Sequence, residues 1–186
     1  MLQTDLVRRA RSGDREAFAV LAGAAVDRLY AIARLILRDA ELAEDAAQET
    51  LVRAWRDLPS LRDVDRFDAW LYRLTVRACG DIGRQRRRWR TELTVVPREP
   101  IEQDRSAQLA DRDELERGLR RLNEAQRSIL VLTYFLGLGP GDVAEALDIP
   151  VGTAKSRLHY AIEALRAALE ADARALPPAA REGRTA

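Results

Sequence analysis

FDAWLYRLTVRACGDIGRQRRRWR, residues 67–90, decides how the chain is read. At about 3.6 residues per turn, Phe67, Leu71, Leu74, Ala78 and Ile82 fall on one side of a helix. Arg66, Arg73, Arg77 and Arg84 line a different side, and arginines at 84, 86, 87, 88 and 90 surround Trp89. A helix built this way has a protein core behind it and a polyanion in front. A purely solvated basic face would carry the same residues, so the surroundings must separate the two readings.

Upstream, Asp14 follows Ser12-Gly13 as a helix N-cap. Phe18, Leu21, Ala25, Leu29, Ile32 and Ile36 then keep helical spacing. A further helix is expected from Asp39 to Leu58, stopped by Pro59. Its inner stripe is Ala43, Ala46, Ala47, Thr50, Leu51, Ala54, Trp55 and Leu58, while Asp45, Gln48, Glu49 and Arg53 form an outward polar strip. Residues 59–66 read as a polar loop feeding the arginine-rich helix. Gly80 and Gly83, in mid-helix, each cost about 1 kcal/mol relative to alanine and predict a bend or an early end.

Downstream, the period is lost over 91–108, which holds Pro97 and Pro100 and reads as a linker. Helical spacing returns through Leu109, Leu115, Leu119 and Leu122, and Asn123 with Gln126 forms a capping box for the next helix, ending at Gly137. Pro140 opens a short helix, and Asp148-Ile149-Pro150 makes a tight turn before a long one. Residues 142–165 thus have the proportions of a helix-turn-helix, or of an ordinary helical hairpin. Ala154, Leu158, Ala161, Ile162 and Leu165 point inward. Gly152, Thr153, Lys155, Ser156, His159 and Tyr160 are left outward, where a recognition helix meets bases and phosphates.

The fold class is all-α: 47% of residues are hydrophobic, but Ala, Leu, Arg and Glu dominate over aromatic and β-branched types. The net charge of +1 conceals basic segments on either side of an acidic stretch at 91–116. One cysteine permits no intramolecular disulfide, and no apolar run nears the roughly 20 residues of a membrane span. Cytoplasmic location, no membrane insertion, no cofactor and no metal are expected, because no His/Cys cluster has ligand spacing. Cys79 reads as a core filler, Trp55 and Trp70 as core, and Trp89 as a ring able to stack on a base.

Laid in order, SGDREAF (12–18), AEDAAQETLVRAW (43–55), FDAWLYRL (67–74) and VAEALDIPVGTAKSRL (143–158) resemble a bacterial sigma factor. The likeness is to the compact extracytoplasmic-function branch of the sigma-70 family. The resemblance implies a region 2-like domain at 1–90, a linker at 91–110, a region 4-like helix-turn-helix domain at 111–175 and a frayed tail at 176–186. It implies that Asp45, Gln48, Glu49 and Arg53 dock on the clamp helices of the largest subunit of core RNA polymerase, and that the C-terminal domain meets the flap region. Arg62, Asp63, Arg66, Arg73, Arg77, Arg84, Arg87 and Trp89 would capture and melt the −10 promoter element. Thr153, Lys155, Ser156, Arg157, His159 and Tyr160 would read the −35 element. The acidic linker would thread the polymerase channel that otherwise leads RNA outward. An anti-sigma factor is an implied partner, regulation comes from outside the chain, and the protein is not an enzyme. The sequence departs from the family at Arg77, where asparagine is common, and at Asp148, where glycine is usual. Two other readings remain: a stand-alone helix-turn-helix regulator, and a helical interaction module that binds no DNA.

Overall fold

The computed structural model describes residues 2–92 and 108–175, with side chains over 2–88, 115–172 and 174. Among these residues the architecture is helical throughout: α1 (Gln3–Arg11), α2 (Arg15–Leu37), α3 (Ala40–Asp57), α4 (Phe67–Glu92), α5 (Gln108–Arg121), α6 (Glu124–Leu130), α7 (Pro140–Leu147) and α8 (Val151–Ala175). Most of the expected linker and all of the expected tail lie outside the described residues.

Short polar side chains set where helices begin. Asp14 accepts a hydrogen bond from the Ala17 amide at 3.0 Å, and Asp39 accepts from the Leu42 amide at 3.2 Å. Asn123 and Gln126 exchange side-chain and backbone bonds at 2.9 Å, a complete capping box. Asp148 adopts a left-handed backbone with φ 55°, which aspartate tolerates, so the helix-turn-helix turn forms without the usual glycine.

Three expectations change. Residues 59–66 are not simply a loop: short 3-10 turns occupy Leu58–Ser60 and Val64–Arg66, the second begun by Asp63 accepting from the Asp65 amide at 3.0 Å. α4 neither bends out of helix nor stops at Gly80 or Gly83; it runs unbroken to Glu92. Gly83 serves packing instead. A Cβ at Gly83 would overlap the Glu124 carboxylate, and one at Gly80 would touch Arg84 Nη1 at 3.4 Å. Lastly, Leu115 does not join the inner stripe of α5 and is 46% exposed.

In the N-terminal half Leu29, Ile32, Ile36, Leu58 and Leu71 are fully buried between α2, α3 and α4. Thr50 and Thr75 are buried with them, each hydroxyl donating to a carbonyl one turn back, Ala46 O at 2.7 Å and Leu71 O at 3.0 Å. α8 is the floor of the C-terminal half, covered by α5, α6 and α7 over Leu122, Ile129, Leu132, Val143 and Ala161. α6 loosens into a π-helical turn at Val131–Phe135, leaving Tyr134 and Phe135 mostly exposed. The halves touch: α2 packs on α6, and α4 packs on both α6 and α7.

Candidate nucleic-acid interface

α4 buries Phe67, Leu71, Leu74 and Ala78 and turns its arginines away from them. Arg77 is exposed and holds no ion pair among the described residues. Arg84 pairs with Asp81 one turn earlier on its own helix. Arg86 meets Asp39, the N-cap of α3, at 3.0 Å, whereas Arg66, Arg73 and Arg87 face acidic side chains of the C-terminal half. Arg66 pairs with Asp142 and lies 3.8 Å from Glu145, Arg73 pairs with Glu145, and Arg87 meets Glu124 at 2.9 Å. Burial, then the like charges of Arg77 and Arg66, push the Arg73 guanidinium below its ordinary value, though an arginine remains a cation. Arg62 and Asp63 are exposed on the preceding loop. With Arg66, Trp70 and Arg73 they line a cleft of about 420 Å³, whose far wall is Leu138, Asp142, Glu145 and Ala146. Trp89 lies on α4, but its side chain is outside those described.

On α3 the strip predicted from spacing is real. Asp45 and Gln48 are exposed and Glu49 is half-buried. Arg53 is engaged within the chain. It donates to Glu49 Oε1 at 2.7 Å and to Asp81 Oδ2 at 2.7 Å, tying α3 to α4. Burial opposes its charge, but these two carboxylates outweigh burial and raise its pKa. Sequence reading missed Val52, which is 60% exposed. It stands three and four residues from Glu49 and Gln48, so helical spacing alone could have placed it on the strip.

The outer face of α8 also follows the pattern. Lys155, Ser156, Arg157, His159 and Tyr160 are exposed, Thr153 is half-buried, and Ala154 and Ala161 are buried beneath. The Ser156 hydroxyl donates to Thr153 O at 3.1 Å, and the His159 and Tyr160 rings lie 5.6 Å apart. Pro140 at the start of α7 and Asp148 at its end fix the short first helix of the motif.

Among the described residues no group of three His, Cys, Asp or Glu could hold a metal ion, and no helix is long and apolar enough to cross a membrane. Cys79 is fully buried, and burial pushes its thiol up to about 12, then the nearby Glu124 charge adds to the shift.

Residues 21–91 match the family described as Sigma-70 region 2, and residues 112–165 match Sigma-70, region 4. The chain is 32% identical over 178 residues to the RNA polymerase sigma-H factor of Pseudomonas aeruginosa, spanning 89% of this chain and 92% of that protein. It is 35% identical over 151 residues to the ECF RNA polymerase sigma factor SigM of Mycobacterium tuberculosis, spanning 78% of this chain and 74% of that one. Among solved structures it is similar to the sigma factor RpoE in complex with the anti-sigma factor NepR from Bartonella quintana. There the TM-score is 0.70 at 25% identity, over 83% of this chain and 98% of that one. CnrH in complex with the cytosolic domain of CnrY gives a TM-score of 0.64 at 30% identity, over 91% of this chain and 98% of that chain. With an arginine-faced helix in the first matched segment and a helix-turn-helix in the second, the chain belongs to the extracytoplasmic-function branch of the sigma-70 family, the factors that direct RNA polymerase to promoters.

Proposed function

We propose that each of the three faces has its own partner in transcription initiation. The α3 strip Asp45, Gln48 and Glu49, with Val52 at its edge, docks on the clamp helices of core polymerase; Arg53 holds Glu49 in place rather than binding directly. The acidic side chains steer a basic partner, and the rigid helix fixes register. The loop before Phe67 and the arginines at 62, 66, 73, 77, 84 and 87 take the −10 element, with Asp63 at the loop and Trp89 as a stacking ring. Arginines grip phosphates of the unwinding duplex while the loop accepts a displaced base. Capture of single strand offsets an unstacking cost of a few kcal/mol per base. No nucleotide hydrolysis enters that scheme, so the protein works by binding and not as an enzyme. Thr153, Lys155, Ser156, Arg157, His159 and Tyr160 read the −35 element in the major groove.

The domain plan follows: a docking and melting unit at 1–90, a linker at 91–110 and a helix-turn-helix unit at 111–175. Exposed Tyr134 and Phe135, within that unit, suit the polymerase flap region. An anti-sigma factor is a natural partner, as for the similar RpoE chain bound to the anti-sigma factor NepR, and the working location is the cytoplasm.

The observation that carries this reading is the coexistence, in one chain, of an outward polar strip, an arginine-faced helix and a helix-turn-helix in the order of regions 2 and 4. The test is retention of the protein by core polymerase, followed by run-off transcription. Retained core and a promoter-dependent transcript are expected; failure to retain core overturns the proposal. Changing Arg66, Arg73, Arg77 and Arg84 singly to alanine should slow promoter opening, followed with a fluorescent base analogue. Unchanged opening in all four refutes the assignment of those residues.

A further inference from the structure

α1 lies upstream of the segment that matches region 2, and none of the three proposed faces uses it. Val7 and Ala10 bury one side of this helix against the core. Gln3, Thr4 and Arg11 stand one turn before and one turn after Val7, so they flank it on the same side. There they reach the chain around the loop before Phe67. Gln3 Nε2 donates to Asp68 Oδ1 at 2.9 Å, the Thr4 hydroxyl to Asp65 Oδ1 at 3.1 Å, and Arg11 Nη1 to Leu61 O at 3.1 Å. The Asp65 amide in turn donates to Asp63 Oδ1 at 3.0 Å. Anchors at Leu61, Asp65 and Asp68 thus bracket the exposed pair Arg62 and Asp63. We propose that Gln3, Thr4 and Arg11 are positioning residues that brace this loop in the shape that takes the displaced base. The proposal rests on the reading of the loop as the part that accepts that base.

The choice of donors supports a brace over a simple surface contact. The Gln3 and Thr4 bonds are exposed, and α1 is already held by Val7 and Ala10, so those two bonds add little to the fold. They act on the two carboxylates nearest the DNA-facing arginines. Left unheld, Asp65 and Asp68 would repel phosphate or compete with it for Arg62. Bonded to α1, they are turned to uncharged donors, and Arg62 keeps its charge for the strand. Arg11 takes the backbone acceptor at the other end of the loop, where Leu61 is buried. A loop shaped before the duplex opens also loses less freedom when it captures a base.

The test uses holoenzyme reconstituted from core polymerase and the full chain, on a promoter that gives a run-off transcript and carries a fluorescent adenine analogue in its −10 element. T4A and R11A each remove one brace, T4S keeps the hydroxyl, and R8A removes a cation paired with Asp5 of the same helix. If the shaped loop falls to about a tenth to a third of the population, opening at saturating holoenzyme slows about three- to tenfold. T4A and R11A should show that slowing, with the holoenzyme concentration for half-maximal opening unchanged, while T4S and R8A open at the parent's rate. Equal rates in T4A, R11A and R8A overturn the brace, as does a T4S chain as slow as T4A. A slowing that follows each variant's thermal midpoint, R8A included, reports folding alone and overturns it too. The loop itself is read with R62A. Slowing by R62A without slowing by T4A and R11A leaves the loop reading in place and removes the brace. An R62A chain that opens at the parent's rate overturns the loop reading, and the brace with it.

Discussion

Arg127→Ala probes the contact between halves most directly. The half-buried guanidinium donates from Nε to Ile36 O and from Nη1 to Leu122 O, with Leu119 O more distant at 3.5 Å. Ile36 belongs to the last turn of α2 and Leu122 follows α5, so both carbonyls are helix-end acceptors lacking a partner one turn on. Burial, then the like charge of Arg38, push its pKa down, so the hydrogen bonds hold the cation there against desolvation. Each charge-assisted bond is worth about 1.5–3 kcal/mol. Water refills a half-buried site on truncation, and the freed side chain returns about 1–2 kcal/mol of entropy. The net loss should be about 2 kcal/mol. With a urea slope of about 2 kcal/mol/M, the midpoint falls by about 1 M.

Two probes localise the loss. Trp55, Trp70 and Trp89 all lie in the N-terminal half, so tryptophan fluorescence follows that half alone while far-ultraviolet circular dichroism follows both. The Ile36 bond crosses between halves and the Leu122 bond stays within one, so both signals should move, circular dichroism the more. A fluorescence midpoint equal to the parent's refutes any role for Arg127 in joining the halves.

Asn123→Ala removes one side of the capping box and should cost about 1 kcal/mol, read as a lower thermal midpoint; Asn123→Asp should restore most of it. Cys79, with its thiol pushed up to about 12, is about 10⁻⁴ thiolate at pH 8, so a thiol reagent should label native protein about a thousandfold more slowly than unfolded chain. Because that pKa is raised from 9.0, the unfolded chain loses its proton first, and stability should fall as pH rises from 9 towards 12, less steeply in Cys79→Ala. Val52→Glu changes a side chain that is 60% exposed, so folding should shift by less than about 0.5 kcal/mol while retention of core polymerase drops; intact retention would remove Val52 from the docking surface.

Features closed within a few residues were legible from sequence. Asp14, the Asn123–Gln126 box, Pro140 and the left-handed Asp148 each satisfy backbone groups within one turn, and their residue types announce it. The buried stripe of α4 was legible because its period is local too. What escaped depends on residues distant in sequence. Gly83 reads as a helix weakness until Glu124 fills the space above it. Arg66 and Arg73 read as a bare cationic face until α7 supplies Asp142 and Glu145. Val52 is the exception, since its spacing from Gln48 and Glu49 already placed it on the strip and only its apolar character hid it.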